Sequence, residues 1–208
     1  MTRMRSIEGK VRLAAGVALM TLSAWSALAA DNPSWSVSQG ELRVLCPMTV
    51  GGSFEAKTTS LTGTVALGTP RPPAFIGDLV VDLRTLDTGI DLRSGHMRDE
   101  YLEVGKGEGF EKAVLSNVRL ADVDAGTFQG RTTFTGTLLL HGARKDIAGQ
   151  AEIRREGSSV RVEATFPVVL ADHGIPKPQY LGVGVKNQVQ VKVSFVATPV
   201  SASAGGSR

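Results

Sequence analysis

From Ser159 to Ala171 apolar and polar residues alternate: Val160, Val162, Ala164, Phe166, Val168 and Leu170 interleave with Arg161, Glu163, Thr165 and Pro167. Residues 187–198 repeat the pattern, setting Val189, Val191, Val193 and Phe195 against Gln190, Lys192 and Ser194. Successive side chains of a strand point to opposite faces, so this spacing gives each segment one apolar face and one wet face. Such strands belong to an antiparallel sheet with one side in water.

The same signal divides the chain into eight candidate strands: Trp35–Cys46, Ser53–Leu67, Phe75–Leu83, Lys112–Val123, Thr127–Leu140, Lys145–Arg155, Ser159–Ala171 and Asn187–Thr198. In a flat sheet, strands this long would leave two bare edges, and closure into a barrel removes both. The expected fold is therefore all-β, an eight-stranded antiparallel barrel, with Gly130, Gly136 and Gly149 as expected bend points. In an up-and-down order the connections 68–74, 124–126 and 156–158 share one end. Two of these are tight, and the third carries three prolines. The other end collects residues 47–52, 84–111, 141–144 and 172–186, which is the asymmetry of a barrel with a mouth.

Between the third and fourth strands the period changes. Leu92, His96, Met97, Tyr101 and Leu102 fall near a spacing of 3.6, which predicts one short helix over Ser94–Val104. Ser94 is the expected cap and Gly105 the expected left-handed terminator. A lone helix with an apolar face must cover something, and the open end of the barrel is the candidate.

The chain begins with Arg3, Arg5, Lys10 and Arg12, an apolar run over 13–24 and the small-residue sequence Ala27-Leu28-Ala29. This predicts a signal peptide over 1–29 and an exported protein, periplasmic or secreted. The segment holds four basic residues and Glu8; without it the chain's 23 basic and 20 acidic residues become 19 and 19. The basic excess thus belongs to targeting and argues against a nucleic-acid partner. Residues 30–199 form the expected single domain, and the Ser/Ala/Gly-rich 200–208 the expected disordered tail. Cys46 is the only cysteine, so no internal disulfide holds the fold.

Phe134, Leu138, Val162, Phe166, Val168, Leu170, Val191 and Val193 occupy the apolar phase of their strands, and Met97 and Tyr101 the apolar face of the helix. These residues either fill a closed core or line a cavity, since eight-stranded barrels do both. For catalysis, the chain has no Gly-x-Ser-x-Gly, no His-Glu-x-x-His and no paired cysteines. His96, His141 and His173 fall on connections at the mouth end. An enzyme or a metal-binding barrel built on them, with Cys46 as a further ligand, is the alternative reading. None of them has metal-site spacing, so no metal and no cofactor is expected. Arg84, Arg93, Arg98 and Arg144 also fall on mouth connections, where an arginine can bond a phosphate or carboxylate headgroup in bidentate fashion. A ligand-free structural domain is the third reading.

Several pieces carry a resemblance: Trp35-Ser-Val37, Asp82-Leu-Arg-Thr-Leu-Asp-Thr-Gly-Ile90 leading to His96-Met-Arg-Asp-Glu-Tyr-Leu102, Gly136-Thr-Leu-Leu-Leu-His-Gly142, and Ala171-Asp-His-Gly-Ile175. In this order and spacing, the chain resembles the YceI-like family of periplasmic lipocalin-like barrels. The resemblance implies a barrel whose apolar interior holds an isoprenoid or fatty-acyl amphiphile, without catalysis, at the ten apolar positions named above. Transient contact with a membrane or a membrane protein that delivers the lipid is a further expectation; no motif specifies an oligomeric state. Three places depart from the family's usual pattern, all near the predicted mouth. They are Leu45-Cys46-Pro47-Met48 in place of a His-Ser, Leu170-Ala-Asp-His-Gly-Ile175 in place of Arg-Asp-Phe-Gly-Ile, and the elaborate stretch 176–184.

Overall fold

The computed structural model describes residues 32–121, 123, 126–180 and 183–200. The expected signal peptide over 1–29, and the expected tail beyond residue 200, lie outside these. Among the described residues ten strands are present: β1 (Ser34–Pro47), β2 (Ser53–Pro70), β3 (Pro73–Asp82), β4 (Lys112–Leu120), β5 (Gly130–Leu140), β6 (Ala143–Glu156), β7 (Ser159–Val169), the two-residue β8 (Gln179–Tyr180) and β9 (Val183–Gly184), and β10 (Gln188–Pro199). All but β8 and β9 form one closed antiparallel barrel in the order β1-β10-β7-β6-β5-β4-β3-β2. The eight expected strands are these eight, with bounds moved by at most three residues. The ribbon β8–β9 was not expected; it lies in the stretch 176–184.

Closure is made by β1, which pairs with β2 on one side and with β10 on the other, from Trp35↔Pro199 to Leu45↔Gln190. Alternation decides what faces inward. In β5 Thr132, Phe134, Leu138 and Leu140 are buried, while Arg131, Thr133 and Thr135 are exposed. Curvature enters through bulges in β1 between Ser36 and Gly40, and in β4 between Ser116 and Arg119. At the second of these, Asn117 takes a φ of 53°. An extra residue on one strand bends it and tightens its twist.

Of the expected bend points, Gly136 stands opposite the β4 bulge, while the β5–β6 ladder runs unbroken through Gly136↔Ile147 and Phe134↔Gly149. Gly149 supplies space: a Cβ there would lie 2.7 Å from both Phe134 and Phe166 and 2.5 Å from the Thr165 carbonyl.

The helix also differs from its expectation. Helix α1 (Asp91–His96) begins three residues early and runs directly into a π-helical turn, Met97–Tyr101. Ser94 lies inside it, buried. Its hydroxyl donates to Asp87 Oδ1 at 3.0 Å and accepts from the Thr88 amide at 3.0 Å. The preceding loop folds back onto Ser94, so its oxygen is taken and cannot cap. At the far end Glu103 holds the left-handed conformation (φ 51°, ψ 39°), while Gly105 sits within a 3₁₀ turn, Val104–Lys106.

Antiparallel order places the β1–β2 loop, the 83–111 insert, the His141–Gly142 turn and the 170–187 connection at one end, as expected. At the opposite end Trp35, Phe75 and Phe128 pack together, with ring centroids 5.3–6.2 Å apart.

Gly149→Ala overpacks the contact beneath Phe134 and Phe166, which costs about 1–3 kcal/mol. The expected result is a thermal midpoint lowered by about 3–10 °C. Gly105→Ala, which meets no atom within 4 Å, leaves the midpoint in place. Thermal melts followed by circular dichroism check both.

Candidate ligand-binding cavity

The barrel interior is hollow in two places. A cavity of about 560 Å³ opens toward the mouth, and a second of about 120 Å³ lies toward the closed end. Phe166 lines both, and the Phe134 ring stands edge-on to it at 5.9 Å and 90°. This aromatic pair is the partition between them, and Gly149 makes the room for it.

The ten residues expected at the site divide between the two cavities. Leu138, Phe166, Val168 and Val191 form the wall of the mouth cavity, with Leu170 from the connection after β7. Met97 and Tyr101 of the insert also line it. Phe134, Val162 and Val193 line the smaller cavity instead, because they sit on the far side of Phe166 along their strands. The inward phase of all ten was legible; their depth along the barrel axis was not, since it depends on register.

The remaining wall was missed. Leu42, Val44 and Cys46 of β1 face the mouth cavity, and their alternation was a signal that could have found them. Val185 and the β8–β9 ribbon also contribute, and no periodicity marks them. Leu83, Leu86, Ile90, Leu92 and Leu102 join Met97 and Tyr101 from the insert. The insert therefore covers the mouth as expected, with Ile90 and Leu92 still exposed at the opening.

The sequence matches the YceI-like domain family over residues 32–197. The chain belongs to the YceI-like family. No curated protein matches it. Among solved structures, the YceI-like barrel is similar to Burkholderia cenocepacia BcnA, at 13% identity over 76% of this chain and 96% of that one, with a TM-score of 0.63. It is similar to a polyisoprenoid binding domain from Saccharophagus degradans implicated in plant cell wall breakdown (18%, 81% and 99%, TM-score 0.59). The Campylobacter jejuni YceI protein is a third (14%, 73% and 88%, TM-score 0.54). At these identities the likeness is one of fold.

Polar groups reach the mouth cavity of this YceI-like barrel from Cys46, Arg93, His96, Tyr101 and Gln179. Of the four arginines considered, Arg84 pairs with Asp82 at 2.8 Å and Glu111 at 3.7 Å. Arg98 donates to the carbonyls of Arg84 and Leu86, and Arg144 is exposed outside the lining. Arg93 alone lines the cavity.

The histidines do not converge. Among the described residues, no three His, Cys, Asp or Glu side chains gather as a metal site requires. His96 is exposed, 3.8 Å from Glu100. His141 instead fastens the mouth. Its Nε2 lies 3.0 Å from Glu103 Oε2 of the insert, and its Nδ1 lies 3.0 Å from the His173 carbonyl. Both partners are acceptors, so the two bonds coexist only when both ring nitrogens carry hydrogen. The hydrogen bond from Lys106, and then the one from His141, hold the Glu103 carboxyl below its ordinary value. His173 Nδ1 sits 3.3 Å from the carbonyls of Leu140 and Ala143, tying the 170–187 connection to the β5–β6 turn.

Cys46 is buried in the cavity wall. Burial pushes its thiol up to about 11, against a smaller downward pull from the Arg93 charge. The thiolate is the reactive form. Alkylation of Cys46 by iodoacetamide at pH 8 should therefore run about a hundredfold slower than that of an unperturbed cysteine. Its rate should keep rising toward pH 11, with denaturant restoring ordinary reactivity.

Proposed function

We propose that this is a periplasmic binding protein that holds an isoprenoid or other long-chain amphiphile in its mouth cavity and does not act as an enzyme. One observation carries this reading: a cavity of about 560 Å³, walled almost entirely by aliphatic and aromatic side chains, opens at one end of a closed barrel. That volume lies within the range of small-molecule sites. Each methylene buried there contributes about 0.8 kcal/mol, so a chain of about a dozen carbons gains tight binding without directed contacts.

The neighbour named for binding polyisoprenoid shares the fold, which supports this class of ligand. Residues 1–29 act in this reading as an export signal, 30–199 as the binding domain and 200–208 as a tail. Exposed Ile90 and Leu92 beside the opening suit brief contact with a membrane or with a membrane protein that supplies the amphiphile. Against catalysis stands the chemistry of the wall. The polar groups that reach the cavity include no nucleophile hydrogen-bonded to a base among the described residues.

The test is organic extraction of the purified protein followed by mass spectrometry, with Val168→Trp beside the wild type. The added indole occupies cavity volume without introducing charge. It displaces at least two buried methylenes, so affinity falls about tenfold or more while the fold stays intact. Recovery of a long-chain lipid from the wild type, and much less from the folded variant, is the expected result. A lipid-free wild type that also binds no added amphiphile refutes the reading.

A further inference from the structure

The mouth cavity is not uniformly neutral. Among the described residues, no aspartate or glutamate lines it, and its one fixed charge is the Arg93 guanidinium. That group is held in place on two sides. Its plane lies over the Phe54 ring, 4.3 Å from the centroid, and Nη2 donates to the Thr88 carbonyl at 2.9 Å. Its Nε is buried and has no hydrogen-bond partner. Among the described residues, no carboxylate stands within ion-pair distance of it.

A buried donor without an acceptor is costly, and so is a charge in apolar surroundings without a counter-ion. The second cost ends if an oxygen anion enters the cavity at Arg93. The neighbours allow this. Phe54 and Thr88 fix the guanidinium without neutralising it, while Cys46, within reach of the Arg93 charge, stays a neutral thiol and does not compete as counter-ion. Uncharged donors near the same opening, Tyr101 and Gln179, offer an anion further hydrogen bonds and no repulsion.

We propose that the bound amphiphile carries an anionic head, a carboxylate or a phosphate, and that Arg93 receives it while the chain runs down toward Phe166. This rests on the binding reading above and narrows it to acidic lipids. A guanidinium fork matches both oxyanions, and a charge-assisted bond in a dry site separates them from an uncharged alcohol.

The experiment measures dissociation constants of the purified protein for dodecanoate, dodecyl phosphate and dodecanol, which share one chain and differ only at the head. The wild type is expected to bind at least one of the anions about tenfold or more tighter than the alcohol. Whichever anion is preferred identifies the head. In Arg93→Gln that preference disappears while dodecanol binding is kept, and in Arg93→Lys, which retains the charge without the fork, part of it survives. Equal binding of all three by the wild type overturns the proposal, as does a preference that persists in a folded Arg93→Gln. The wild-type comparison needs no variant, so a misfolded mutant does not shelter the idea. If none of the three binds, the binding reading itself fails, and this inference with it.

Discussion

Pairing of the first strand with the last is the constraint on which everything else depends. Without the β1–β10 ladder the sheet would end in two rows of unpaired amide and carbonyl groups, and its apolar face would have no interior to enclose. With the ladder, each strand's inward phase becomes a wall, and eight strands leave space along the axis. No disulfide assists, since Cys46 is the only cysteine and is free. The barrel is held by main-chain hydrogen bonds and packing, without a covalent cross-link.

What makes this interior a receptacle is the placement of its aromatic residues. Trp35, Phe75 and Phe128 fill the closed end, and Phe134 with Phe166 divides the axis above them. The bulky side chains are thus concentrated in the lower half of the barrel. Toward the mouth, Leu138, Val168 and Val191 give the strands a smaller-sided wall, and the larger cavity lies there.

The strands and their inward faces were legible because a period of two survives every local disturbance. Leu138, Phe166 and Val191 could be assigned to the interior from spacing alone. Their depth could not, because two cross-strand neighbours share a level only through register. Val193 therefore belongs with Phe134 and not with Val191's cavity. The helix bounds failed for a different reason. Ser94 has the right chemistry for a cap, but its oxygen accepts from the Thr88 amide of the preceding loop, and no periodicity announces that. Arg93 stood as one of four equivalent arginines; only the carboxylates beside Arg84 and the ring of Phe54 set it apart.

The fastening of the mouth differs in kind from the fastening of the wall. The wall is a ladder of main-chain bonds, each backed by its neighbours, whereas the insert is tied to the rim at separate points: main-chain bonds of Asp87 with Lys57 and of Gly109 with Gly142, and the contacts of His141 with Glu103 and with the His173 carbonyl. Segments secured at a few points open at lower free energy than a continuous sheet. Opening of the insert is thereby separated from the integrity of the barrel: the first breaks a handful of isolated contacts, the second a cooperative ladder.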